Sequence, residues 1–254
     1  MVKVNKIIDK VEQFAPLSLQ SEWDNSGWQI YLGNFEVDKV LLALSPTPDV
    51  IEQAISKKCD LIIAHHPMIF GKMSKIKANN FTGASIIKSI QNNIQIYSAH
   101  TNLDAVKNGV ADKLAGLLNL DNIQIIEETG LSSGFGRIGE LAKEENLDEF
   151  LKKLKQILNV SSLKLINPSG RKKIRRVAVC PGSGGDFIKN LRDVDLYITG
   201  DIRYHTALEI DNMAVVDAGH LETERIILTT LKELLQDLEI QIFIAEENSP
   251  WQIV

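Results

Sequence analysis

Two of the five histidines in this 254-residue chain, His65 and His66, stand side by side in DLIIAHHPMIF (60–70). Leu61 to Ala64 reads as a short buried strand, apolar and bounded by Asp60 before it and polar residues after it. The pair therefore falls just beyond a strand's carboxyl end, the edge at which open α/β sheets bind ligands. Neighbours in a regular strand point to opposite faces, so either the chain turns here or the two rings serve two different ions. The other histidines also follow predicted strands. His100 closes IQIYSA (94–99), His205 comes after TGD (199–201), and His220 lies in DAGHLETE (217–224). His220 and Glu224 are four apart at a predicted helix start, which places them on one face with Cβ atoms ~5–6 Å apart. Imidazoles with carboxylates suit Zn, Fe, Mn, Co or Ni, whereas Mg and Ca prefer oxygen shells. His65, His66, Asp104, His220 and Glu224 exceed the three protein ligands of a single catalytic zinc. They fit two divalent ions ~3.5–4 Å apart, bridged by a carboxylate such as Asp104 or Glu224, an arrangement that acidifies water and serves hydrolysis. His100, Asp201 and His205 are then candidates for supporting hydrogen bonds or proton transfer, with a structural hydrogen bond at a strand end as the plainer alternative.

The elements that must hold these groups are legible in outline. Val4 to Phe14 has one apolar helical face and is stopped by Pro16. EWDNSGWQIYLG (22–33) reads as a loop, with Trp23 and Trp28 as core anchors in preference to a base-stacking platform, and Asp24 and Asn25 building a turn in preference to lining a pocket. From Lys39 strands and helices alternate: KVLLALS a strand, Pro48 to Lys58 a helix, DLIIA a strand, Ala84 to Asn92 a helix, IQIYSA a strand. TNLDA (101–105) is then a polar hinge, Val106 to Leu118 a helix and NIQII (122–126) a strand. GFGRIGEL (134–141) reads as a strand, Leu147 to Leu158 as a helix, and Thr223 to Leu238 as a core-facing helix. This spacing predicts an α/β fold with mostly parallel or mixed sheets. RVAVCPGSGGDFIKNLRDVDLYITGD (176–201) follows the plan of KVLLALSPTPDVIEQAISKKCDLIIAHH (39–66), and NMAVVDAGHLETE (212–224) that of NIQIYSAHTNLD (93–104). Two matches in the same order suggest an internal duplication. The expected domains are 1–127 and 128–254, with an approximate boundary, C-terminal elements able to pack with the first half, and the metal site in the cleft between them.

Composition narrows the partners. The chain is 44% hydrophobic and 24% charged, with a net charge of −5. That balance argues against nucleic acid as main partner. The basic run Arg171 to Arg176 reads as a solvated loop before a strand. The start of the chain, MVKVNKIIDK, lacks the apolar core of a signal peptide, and no apolar run approaches membrane-spanning length. Cys59 and Cys180 show no CxxC pattern and read as small buried hydrophobes in a reducing compartment, so the cytoplasm is expected.

AHHP (64–67), SAHTNLD (98–104), GFGRIGEL (134–141), VCPGSGGDFI (179–188), TGDIRYHTA (199–207) and DAGHLETER (217–225), with EWDNSG (22–27), together resemble one family along nearly the whole chain. It is the NGG-interacting-factor-three-like family, whose members are also called type 2 homologues of GTP cyclohydrolase I. The resemblance implies a dinuclear metal site on His65, His66, Asp104, His220 and Glu224, two similar α/β domains, and a toroidal homohexamer with metal sites facing an internal cavity. Longer members carry an inserted domain, and this chain resembles the short form. The family name suggests metal-assisted opening of a guanine ring with loss of formate, acting on a small-molecule substrate. No P-loop accompanies it, and GSGG (182–185) serves equally as an anion cradle or a turn. Two other readings stand beside it: a dinuclear phosphoesterase on nucleotides or small phosphate esters, and a non-catalytic metal-binding scaffold or metal chaperone.

Overall fold

The structure, a computed structural model, describes residues 1–252. In chain order its elements are β1 (Val2–Lys3), α1 (Val4–Phe14), β2 (Gly27–Ile30), β3 (Glu36–Val37), β4 (Lys39–Ala43), α2 (Pro48–Lys57), β5 (Leu61–Ala64), α3 (Phe81–Gln91), β6 (Gln95–Ser98) and α4 (Thr101–Ala105). There follow α5 (Val110–Leu117), β7 (Asp121–Gly130), β8 (Ser133–Asn146), α6 (Leu147–Leu158), β9 (Lys164–Ile166), β10 (Lys173–Val179), β11 (Leu196–Thr199), α7 (Tyr204–Leu208), β12 (Ala214–Asp217) and α8 (His220–Glu224). The described chain ends its regular structure with α9 (Ile227–Leu235) and β13 (Gln241–Ile244). Contacts group residues 1–106 with 227–248 as a first unit and residues 107–226 as a second.

The first unit is built on a five-stranded mixed sheet in the order β13-β4-β5-β6-β2. The strands β13, β4, β5 and β6 run parallel, and β2 closes the edge antiparallel to β6. All four residues of β5 are buried, as a central parallel strand covered on both faces requires. The register aligns Ala43 with Ala64 and Ala64 with Ser98, so β4, β5 and β6 end at one level. The loops that follow them start side by side. Helix α2 is set by local signals: Thr47 caps it by accepting from the Val50 N–H, Pro48 opens it, and Lys58 ends it in the left-handed region. Val50, Ile51 and Ala54 from α2 pack with Leu41, Ile62 and Ile96 of the sheet.

The second unit carries a six-stranded mixed sheet in the order β7-β8-β10-β11-β12-β9. Its centre is a run of three parallel strands, β10, β11 and β12, with Thr199 paired to Asp217 at their ends. Helix α6, capped by Asn146 and ended by left-handed Asn159, lays Phe150, Leu154 and Leu158 onto Ile174, Val177 and Leu196. Strands β8 and β10 are antiparallel and extend into the β7–β8 hairpin.

Several local expectations change. Part of the 22–33 segment is strand β2, and Trp23 is 64% exposed instead of buried, because Asp24 draws the neighbouring loop into a polar network. Trp28 is half-buried against Tyr97 and Tyr31. TNLDA is helix α4, not a hinge. The basic run enters β10, where opposing carboxylates meet it: Arg171 pairs with Asp195, Lys173 with Glu144, and Arg175 and Arg176 with Glu140. The helix expected over 223–238 is interrupted by a turn at Arg225–Ile226, giving α8 and α9. Cys59 and Cys180 are buried free thiols.

Candidate metal centre

In the first unit the ligand-type residues sit where the parallel strands end. The His65 N–H donates to the Ala43 carbonyl and the His66 N–H to that of Leu44, so the β4–β5 ladder continues into the histidine pair. Their rings are held from behind. His65, fully buried, places Nδ1 2.8 Å from the Ala99 carbonyl oxygen. A carbonyl only accepts, so Nδ1 carries a proton, and in the neutral ring the lone pair belongs to Nε2. That nitrogen faces the Asp104 carboxylate at 3.6 Å. His66 Nδ1 meets the Ser45 hydroxyl at 2.7 Å. Ligand atoms of His65, His66 and His100 lie within 4.8 Å of one another.

His100 is fixed by Asp24, whose Oδ1 is 2.7 Å from Nδ1. The other oxygen of Asp24 accepts from the Thr101 N–H, the Thr101 hydroxyl and the Ser26 hydroxyl. Burial alone would raise the Asp24 carboxyl, but the hydrogen bonds from His100, Thr101 and Ser26 hold it well below the usual carboxylate range. Behind Ser45 stands Glu247, which accepts the Leu44 N–H at 2.6 Å and the Ser45 N–H at 2.8 Å. Burial pushes its carboxyl up, partly offset by those two bonds. Sequence reasoning did not mark Ser45 and Glu247 as site residues, and it preferred a turn to a pocket for Asp24. Only Asp24 had a signal, its place in EWDNSG.

In the second unit His220 and Glu224 occupy one face of the single-turn helix α8, with Nε2 and Oε2 3.0 Å apart. Asp201 holds the other ring nitrogen at 2.6 Å. Burial pulls the His220 ring down, yet the carboxylates of Glu224 and Asp201 outweigh it and raise the ring to about 9. The two acids thus favour positive charge at this spot, whether a ring proton or a metal ion. Glycines make room for it. Gly182 has φ +69°, and a Cβ there would run into the Glu224 carboxylate. A Cβ on Gly200 would come within 2.8 Å of the Gly182 carbonyl oxygen and the His220 backbone nitrogen. Asp201 adopts φ +51°, a region in which Asp is tolerated better than most residues. His205 lies exposed on α7 against the Tyr204 ring, apart from the His220 grouping.

Both units therefore offer imidazole nitrogens beside carboxylates. The separations of 3.0 and 3.6 Å match two donors that each lie ~2.1 Å from one ion. The Nδ1 atoms of His65, His66, His100 and His220 each meet a carbonyl, hydroxyl or carboxylate, the support that metal-ligating histidines use. The residues fit a transition-metal ion. Among the described residues, no helix is long and apolar enough to cross a membrane.

The family model for Duf34/NIF3 (NGG1p interacting factor 3) matches residues 2–250. The "GTP cyclohydrolase 1 type 2 homolog" of Clostridium acetobutylicum is 41% identical, covering 88% of this chain and 85% of its own. The "NGG1-interacting factor 3" of Saccharomyces cerevisiae is 34% identical, with 92% and 91% covered. Among solved structures, a Bacillus cereus protein related to NIF3 superposes with a TM-score of 0.94 at 25% identity, over 100% of this chain and 99% of its own. Reduced HcgD from Methanocaldococcus jannaschii gives 0.87 at 31% identity, over 96% and 97%.

Proposed function

This chain belongs to the Duf34/NIF3 family, and from that premise we propose that it is a metal-dependent hydrolase with a dinuclear centre. His65, His66, Asp104, His220 and Glu224 together hold two divalent ions drawn from Zn, Fe, Mn, Co and Ni. Neither unit alone brings enough donors for two ions: three in the first, two in the second. When bound, such a pair acidifies water and neutralises negative charge developing on a substrate. The observation that carries this reading is the back-side support of each ring, above all the Ala99 carbonyl that fixes the tautomer of buried His65. The residues around the ligands divide the remaining work. Asp24 holds His100 with Nδ1 protonated, which leaves Nε2 to take up and release a proton. Asp201 orients His220 and favours positive charge on its ring. His205, exposed on α7, is the weakest of the three proton-transfer candidates. Ring-opening hydrolysis of a purine nucleotide, as the relatives' name suggests, is the reaction we assign. We extend the proposal to a duplicated architecture, since in each sheet the candidate groups follow two successive parallel strands: His65 and His66 after β5 and Asp104 after β6, Asp201 after β11 and His220 and Glu224 after β12. It also includes a cytoplasmic homohexamer.

The test is elemental analysis of protein purified without added metal, followed by assay of metal-loaded protein on GTP. Two ions per chain and formate release are expected. Release of a phosphate monoester from small phosphodiesters would move the assignment to a phosphoesterase. Tight metal binding without turnover on any of them would leave a scaffold or chaperone.

A further inference from the structure

Two large aromatic side chains stand in solvent beside the first unit's histidine group. Trp23 and Phe70 are each 64% exposed. Their rings meet edge to face with centroids 5.9 Å apart, and each also meets the His100 imidazole, at 6.1 and 6.4 Å. His100 in turn lies 5.2 Å from His65 and 5.5 Å from His66, ring to ring. One exposed aromatic needs no explanation. Two that bracket the same imidazole, on a fixed support, do. Trp23 precedes Asp24, whose carboxylate binds His100, Thr101 and Ser26. Phe70 follows Ile69, which is tied to the same loop: Asn25 Nδ2 donates to the Ile69 carbonyl at 2.7 Å, and buried Gln29 accepts the Ile69 N–H at 3.0 Å. The backbone that carries both rings is thus tied down before any ligand arrives, which lowers the entropy lost on binding.

We propose that Trp23 and Phe70, set edge to face, form an aromatic corner, the clamp, against whose exposed faces the planar heterocycle of a purine-type substrate stacks at this centre. The inference rests on the hydrolase reading above and names the part of the substrate that this chain grips. Exposed π-faces favour flat rings over aliphatic or purely phosphate ligands. His100 adds in-plane recognition, since its Nε2 can accept from a ring N–H while Asp24 holds Nδ1.

The experiment is calorimetric titration of cobalt-loaded protein with guanosine and, separately, with inorganic triphosphate, metal content being measured on the same samples. Guanosine is expected to bind. Trp23→Ala and Phe70→Ala should each weaken it roughly tenfold, as loss of one stacking contact does, with cobalt content unchanged. Trp23→Phe should recover most of the affinity. Triphosphate affinity should not respond to any of these changes. The clamp is overturned if metal-loaded wild type ignores guanosine, if the alanine variants bind it as well as wild type, or if triphosphate binding weakens alongside it. A changed sedimentation coefficient for Trp23→Ala with unchanged guanosine affinity also overturns it, by reassigning the patch to contact between copies. Failure of the hydrolase reading looks different. Cobalt-loaded wild type would then release no formate from GTP, while loss of guanosine binding in Trp23→Ala would still support the clamp.

Discussion

Asp24 touches none of the five proposed ligands, yet one of its oxygens fixes His100 and the other gathers Thr101 and Ser26. Its side chain is fully enclosed. The folded protein holds this carboxyl below its ordinary value of 3.8, so its ionised form adds stability that is complete above that value and lost as pH falls through the depressed one. Asp24→Asn should therefore cost about 2–3 kcal/mol near neutrality, the scale of a buried charge-assisted network. The gap to wild type should begin to narrow below about pH 4 and shrink further as the acid deepens, as urea denaturation across pH would record. A gap that stays constant into acid would mean that the charge contributes nothing. At Gly182 the constraint is space. Gly182→Ala adds a methyl group where the Glu224 carboxylate stands, on a backbone at φ +69°. Metal affinity should fall at least tenfold, with ~1 kcal/mol lost from the fold, measured by cobalt titration and thermal melting. The histidines were legible because they cluster after apolar strands, a pattern that scattered surface residues would not produce. Asp24 was not, because Asp-Asn beside Gly is also turn chemistry, and only long-range contact with His100 distinguishes the two.

At the scale of elements, the sheet ends position the site, and part of that positioning comes from the far end of the described chain. Strand β13 pairs parallel with β4, and the segment after it brings Glu247 onto the Leu44 and Ser45 N–H groups. Ser45 then meets His66. Glu247→Ala leaves two N–H groups at the end of β4 without this acceptor and loosens the support of His66. A loss of about 1–3 kcal/mol is expected from the unmet bonds, together with weaker cobalt binding. Ser45→Ala should weaken cobalt binding while costing less stability, since only the hydroxyl contact is lost. A stability loss in Glu247→Ala with cobalt affinity unchanged would show that Glu247 acts on the fold and not on His66. Helices α1 and α6 were readable end to end, because strong apolar periodicity coincides with stop signals at Pro16 and Asn159. Strands β2, β9 and β13 were not. They are edge strands of three or four residues whose sequences lack a full alternation, and their partners lie far away along the chain. The break between α8 and α9 escaped notice for a related reason. Apolar spacing continues across Arg225–Ile226, while the Arg225 guanidinium reaches the Leu158 carbonyl.

For the molecule as a whole, the sharpest question is whether five donors make one centre or two groups work apart. Ligands for a bridged pair of ions are not additive, because removing one donor weakens both ions through the shared carboxylate. His65→Ala and His220→Ala should therefore each lower the content from two ions per chain to less than one, and the double variant should lose little more. Independent sites would instead give one ion in each single variant and none in the double. Elemental analysis after exhaustive dialysis separates these outcomes without any assay of turnover. Chelation supplies the energetic counterpart. Ions that bind only the folded chain stabilise it by about 4 kcal/mol when free metal is a thousandfold above the dissociation constant, so removing them should lower the melting temperature and separate the unfolding of the two units. Sedimentation of the metal-loaded protein is expected at six times the chain mass, and a hexamer that survives chelation would show that the ions serve the chemistry and not the ring. Acid should act as chelation does. The carboxylates that raise His220 to about 9 make a proton a direct competitor for its Nε2. Metal uptake near neutrality should accordingly release protons, and two calorimetric titrations in buffers of different ionisation enthalpy would count them. Uptake with no proton released would mean that His220 is not a ligand, and the count of five donors would fail with it.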